Sequence, residues 1–272
     1  MALVIDKLIM GLTKMRNYNM AVLTEKQIKY GFDYYHKDDA RPKSVVEVSE
    51  YDGEDKLIIN CTQLEESYSA KAKKRIWMEW CDFLVNNPDT FTELMFCTRM
   101  PQDLFDAVCA QRRLKKLHIK WGVYPDISKL ENLQELEYLH IGSGRSVSSL
   151  EPISRLVNLV ALSIENFQQI DDYAPLANLK HLESLALEGD FAAPKILKVQ
   201  SLEFLRHMKQ LRFFSLLTAK VIDKDYSPIL ELNNLEHLTL KSCKEVKQLY
   251  PQLIKLPKLK YGTVLERPEL YE

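Results

Sequence analysis

The sequence predicts an α/β solenoid: a curved sheet of short parallel strands, returned by turns and short helices, with an α+β segment on its N-terminal side. Three observations predict it. A phrase with apolar residues at its first, fourth and sixth places starts at Phe91, Leu114, Leu136, Leu159, Leu182, Leu211, Leu235 and Leu259, in steps of 23, 22, 23, 23, 29, 24 and 24 residues. A period in the low twenties marks units that bury their apolar faces only against one another. The return segments carry apolar residues of their own, such as Leu150, Ile153 and Leu156 or Ile170, Leu176 and Leu179, and Pro152, Pro175 and Pro228 stand where a fixed φ starts a helical turn. Finally, 272 residues with a hydrophobic fraction of 46% suffice to fill a continuous core.

The N-terminal part is less regular. Leu3, Ile5, Leu8, Ile9 and Leu12, then Val22, Ile28 and Phe32, are spaced as helical stripes, so short helices are expected up to about residue 36. Asp38-Asp39-Ala40-Arg41-Pro42 reads as a loop. Val46 and Val48, then Leu57 and Ile59, flank Tyr51-Asp52-Gly53-Glu54-Asp55, which predicts a β-hairpin. From about Ser67 to Asn87, Ile76, Trp77, Trp80, Cys81, Leu84 and Val85 fall at three- and four-residue steps, an amphipathic helix stopped at Pro88. Such a face needs something to cover. Residues 1–88 are therefore expected to cap a solenoid formed by residues 89–272. The competing reading, a separate functional unit, lacks a Gly- or Ser-rich linker.

Within each repeat the first, fourth and sixth places point inward and the places between them outward. Strands should centre on 94–96, 117–119, 139–141, 162–164, 185–187, 214–216 and 238–240, and more weakly on 262–264. The run from Ile170 to Leu187, with Pro175-Leu176-Ala177-Asn178-Leu179 ahead of Leu182, Leu185 and Leu187, resembles the leucine-rich-repeat family, and its short-repeat, internalin-like class in particular. The resemblance implies a fold and a binding role without naming a partner. The family's asparagine at the ninth place is missing, since Arg99, Gly122, Gly144, Phe167, Asp190, Ala219 and Cys243 stand there. Its backbone-bonding ladder is thus not expected. The long step between Leu182 and Leu211 places an inserted loop at residues 191–196, either beside a binding surface or neutral.

Thirty-seven Lys and Arg against 38 Asp and Glu leave a formal charge of −1, so no global field favours nucleic acid. Five scattered cysteines without a C-x-x-C pair suit a reduced, cytoplasmic setting. Asp6 and Lys7 break the apolar start before it reaches signal-peptide length, and no run is long enough to span a membrane. Delivery into another cell by a route that needs no signal peptide stays open.

Motifs for phosphate, dinucleotide or metalloprotease chemistry and the nucleophile elbow are absent, so no enzyme, cofactor or metal is expected. An active site in the N-terminal part is the weaker alternative. His118 and His140 should be neighbours, but two ligands are too few for structural zinc, and a solvated pair is expected. The outward places instead form columns that run from basic to acidic to apolar. Lys116, His118, Lys120, Tyr138, His140, Glu165, Glu188, Phe213, Leu217, His237 and Tyr261 are the candidate contacts for another protein, with Phe213 and Leu217 expected to lie bare. A second possibility is self-association, since little chain follows Val264 to cover the edge of the last repeat.

Overall fold

A computed structural model describes residues 22–190 and 195–272. The helical stripe of residues 3–12, the apolar start and most of the 191–196 insertion lie outside the described residues.

Nine strands form one sheet in chain order: β1 (Lys43–Val45), β2 (Lys56–Ile59), β3 (Glu93–Phe96), β4 (Lys116–Ile119), β5 (Tyr138–Ile141), β6 (Ala161–Glu165), β7 (Ser184–Glu188), β8 (Phe213–Leu217) and β9 (His237–Leu240). Every pairing is parallel, and the register aligns equivalent repeat places. Leu94, Leu117, Leu139, Leu162, Leu185, Phe214 and Leu238 form one row, and Phe96, Ile119, Ile141, Ile164, Leu187, Leu216 and Leu240 a second. All are buried, and so are the first-place residues from Phe91 to Leu235. Short 3-10 or helical turns such as Ser128–Asn132, Glu151–Ser154, Ala174–Asn178, Glu203–His207 and Ser227–Glu231 close the return path. They bury Leu130, Ile153, Leu176, Leu205 and Ile229 against the strands, so the core is one continuous leucine-rich layer.

The expected hairpin at 46–59 is not one. β1 and β2 are parallel neighbours, with Val45 beside Ile59, and they extend the sheet beyond β3 in the same register. Antiparallel strands are closed by a tight turn, whereas the chain between β1 and β2 makes a 3-10 turn at Val48–Glu50 and a wide excursion through Asp52-Gly53. Lys43 ties that excursion back through the Glu50 carbonyl and the Asp52 carboxylate. Helix α2 (Ala70–Asn86) is N-capped by Ser69, whose side chain accepts from the Ala72 N–H. It buries Ile76, Trp80 and Leu84, and the Trp80 Nε1–H donates to the Val46 carbonyl at 2.8 Å.

In place of an asparagine ladder, Met100–Pro101 pairs with Gly122–Val123, and Leu197–Val199 with Ala219–Val221. Phe167 fills the space that a side chain at Gly144 would take, its ring 1.8 Å from where a Cβ would stand. At the eighth place Ser143, Asn166 and Thr218 turn the chain with φ of 55°, 60° and 48°.

The weak eighth strand shrinks to a single bridge between His237 and Tyr261, after which Thr263–Glu266 turns helical. Gly262, at φ +100°, lies so close to Leu238 that a Cβ would come within 2.2 Å of its carbonyl oxygen. The Leu238 N–H donates to the Tyr261 carbonyl, the Leu240 N–H to the Thr263 hydroxyl, and the Tyr271 hydroxyl to the Leu240 carbonyl. The edge expected to be bare is therefore covered, and the reason for expecting strand pairing there is gone.

Candidate functional site

The face of the sheet turned away from the leucine layer carries the third- and fifth-place columns, and the register sets them side by side as the spacing requires. Glu93, Lys116, Tyr138, Ala161, Ser184, Phe213, His237 and Tyr261 form one row, and Met95, His118, His140, Ser163, Ala186, Ser215 and Thr239 the next.

This face is not bare. Residues 22–41 run across it as a strap. Thr24 and Gln27 form a reciprocal capping box that starts α1 (Glu25–Tyr30), Gly31 ends it at φ +57°, and a 3-10 turn follows over Gly31–His36. Short helices were expected here from the spacing of Val22, Ile28 and Phe32. Their place on the sheet was not, because no local pattern encodes it.

At the start of the strap the Leu23 N–H donates to the Glu183 carboxylate at 3.4 Å, and the Arg212 guanidinium donates to the Leu23 carbonyl at 3.2 Å. Arg212 also bonds Glu183 at 3.0 Å and Glu236 at 2.8 Å, and Lys260 bonds Glu236 at 2.9 Å, so a ladder of rim charges holds the clamp in place. Leu23 and Ile28 pack with Tyr138, Val160 and Ala161. Tyr261 donates to Glu25 at 2.9 Å. Gly31 lies against Phe213, whose ring would stand 2.8 Å from a Cβ at that position. At the far end Tyr34 and Tyr35 stack with centroids 4.1 Å apart. Lys116 donates to both hydroxyls, at 3.0 and 3.1 Å, and Tyr35 donates to the buried Glu93 carboxylate.

Phe213 and Tyr138 are thus buried, and the expectation of a bare Phe213 gives way to a covered one. Leu217 is half-buried. His118 and His140 do lie together, stacked at 4.2 Å and 14°, but half-buried rather than solvated. Phe32 lies 5.8 Å from His140, whose Nδ1 is 3.0 Å from the Ser163 hydroxyl. Lys120 is exposed, and Glu165 and Glu188 are partly so.

Burial sets the electrostatics. It pushes His140 and His237 down to about 4 and His118 well below the usual imidazole range, with His140 adding to the last. Burial also raises Glu165 to about 7, helped by Asp190 and Glu188, and raises Glu188. For Lys116 burial works downward, but the Tyr34 hydroxyl and the Glu93 carboxylate outweigh it and keep the ammonium charged. The Cys61 thiol is pushed up to about 12 and Cys81 to about 11, both mainly by burial, as inert thiols are. Among the described residues no group of three or more His, Cys, Asp or Glu could hold a metal ion, and no helix is long and apolar enough to cross a membrane.

No protein-family model matches the sequence, and no curated protein does. Solved structures do. An internalin from Listeria monocytogenes is 17% identical, with a TM-score of 0.43 over 64% of this chain and 54% of its own. A leucine-rich-repeat protein of Leptospira interrogans is 16% identical, with a TM-score of 0.49 over 81% and 53%. The internalin C2 of Listeria monocytogenes is 17% identical, with a TM-score of 0.40 over 67% and 83%. The chain spans about half the length of the first two. The fold is a leucine-rich-repeat solenoid. Its strand register, repeated from β3 to β9, carries that statement, and the strap lies on its open face.

Proposed function

We propose that this solenoid is a non-catalytic recognition module that binds another protein on its open face, as an adaptor, inhibitor or antitoxin-like partner. One observation carries the reading: the face already holds a polypeptide segment of about twenty residues by backbone, apolar and aromatic contacts, so its chemistry suits polypeptide. The row that stays accessible beside the strap, Lys120, Glu165, Glu188 and Leu217, offers charge for orientation and an apolar anchor. Lys116, His118, Tyr138, His140, Phe213, His237 and Tyr261 become contacts where the strap gives way. In this reading residues 1–88 serve the solenoid of residues 89–272, with α2 and strands β1 and β2 ending the stack. A nucleophile or general base is not what the site supplies. Lys116 is held charged, and among the described residues no carboxylate is bonded to the stacked histidines.

Site-specific photo-crosslinking tests it. A benzophenone side chain at Lys120 or Leu217 should give one shared protein adduct in native lysate, while the same group at exposed Val157 on the return side gives none. Adducts from Val157 alone would overturn the placement.

A further inference from the structure

The strap lies on the open face as a ligand lies on a receptor, and its contacts describe a partner. We propose that the face recognises a segment of another protein carrying the strap's own pattern, Leu-x4-Ile-x2-Gly-Phe-x-Tyr-Tyr, and that the strap is a built-in competitor which this segment displaces. The inference rests on the reading of the open face as a recognition surface and adds the chemistry of the partner.

The clamp on Leu23 grips a backbone N–H and C=O, groups that a partner segment presents equally well. Beyond it, the cluster of Tyr138, Val160 and Ala161 takes an aliphatic pair spaced as Leu23 and Ile28 are. Phe213 leaves room only for a glycine at the end of the short helix, and the positive φ there demands the same residue. Lys116 and Glu93 then select two adjacent phenols, one accepting from the ammonium and one donating to the carboxylate.

The strap's fit is imperfect. A small cavity of about 20 Å³ lies between Phe32, Tyr35, Glu93, Lys116 and His118. A second, of about 10 Å³, lies between Leu23, Gln27, Phe32, Tyr138 and Ser184. The Ser184 hydroxyl at its wall is buried without a hydrogen-bond partner among the described residues. Unfilled space and an unsatisfied hydroxyl weaken a contact, and a segment that fills the one and bonds the other binds better. Residues 37–42 tether the strap to β1, and a tether this short gives a local concentration on the order of millimolar. A competing segment therefore needs extra contacts, which the Lys120–Leu217 row can supply.

The experiment uses the full chain, its Ile28→Asp and Gly31→Val variants, and a fluorescein-labelled peptide of residues 22–41. Anisotropy reads uptake, hydrogen exchange reads the strap, and light scattering reads mass. Wild type should not take up peptide in the tens of micromolar range, whereas both variants bind it one to one with at least tenfold higher affinity than wild type. Peptide carrying G31V should not bind. Strap amides that exchange freely without peptide uptake would overturn the inference. So would unfolding of both variants, which would make the strap integral, or dimers that block uptake, which would seat the strap on a second copy. Should peptide fail while crosslinks from Lys120 and Leu217 persist, the recognition reading stands and only the displaced-strap inference falls.

Discussion

The two faces of one sheet are held by different physics. On the inner face the rows from β3 to β9 are leucine, isoleucine or phenylalanine, buried to the last atom or nearly so. On the open face Glu93, Ser163, Ser184, Ser215, His237 and Thr239 are buried along with Tyr138, Ala161 and Phe213, and the strap touches Glu93, Tyr138, Ala161 and Phe213 among them. Apolar burial is non-directional and grows with area, so the inner face gives way only when the fold does. Polar contacts contribute about 1 kcal/mol each and must match partner for partner, so the open face can exchange one polypeptide for another. One sheet thus combines a permanent interface with a replaceable one.

The contrast is broken most directly from the inside. Leu162→Ala, at the centre of the inner row with no exposed surface, should lower global stability by about 2–5 kcal/mol in chemical denaturation. Ile28→Ala, equally buried on the strap's inner side, should instead speed exchange of strap amides and leave the midpoint of sheet unfolding nearly in place. Equal losses of the midpoint would show that the two faces form one cooperative unit.

Acid sharpens it. His140, faced by His118, Phe32 and Ser163, is pushed down to about 4 by burial, against about 6.5 when free. The closed strap then holds fewer protons than the open one. Its advantage is full above pH 6.5 and shrinks as pH falls towards 4, by about 1–2 kcal/mol for this half-buried ring. Hydrogen exchange should show the strap opening more readily at pH 5 than at pH 7. NMR titration should find the His140 ring neutral down to about pH 4 in wild type, and titrating nearer pH 6 in Ile28→Asp. An ordinary imidazole titration in wild type would remove the basis for this coupling.

The smallest effect concerns the accessible row. Burial, with Asp190 and Glu188 nearby, raises Glu165 to about 7, so above that pH the fold bears the cost of an ionised carboxylate. Glu165→Gln should add about 1 kcal/mol at pH 8, after discounting for its partial exposure to solvent, with the gain fading as pH falls through 7. Thermal melts at pH 8 and pH 5 that shift equally would contradict it.

The strands were readable because strand periodicity is local. A side chain two places along the chain faces the same way, and a repeat two dozen places on stacks beside it. The same reasoning put His118 beside His140 and Phe213 beside His237, and the pairings agree. It misread 46–59 as a hairpin because alternation with Asp-Gly looks the same whether the next strand runs parallel or antiparallel. In the structure the segment after β1 is tied instead to α2, where the Trp80 Nε1–H donates to the Val46 carbonyl. The αL turns at Ser143, Asn166 and Thr218 left only a weak trace, since two of these residue types rarely mark such a turn.

By itself the sequence determined the leucine layer, its repeat and the residue columns on the outer side of the sheet, since each follows from spacing within a few dozen residues. Only the tertiary structure decided what lies on those columns. The strap's contacts join Leu23 to Arg212, 189 residues apart, and Glu25 to Tyr261, 236 apart. No periodicity spans such distances. Hydrogen-bond geometry and shape select that pairing once the solenoid has stacked.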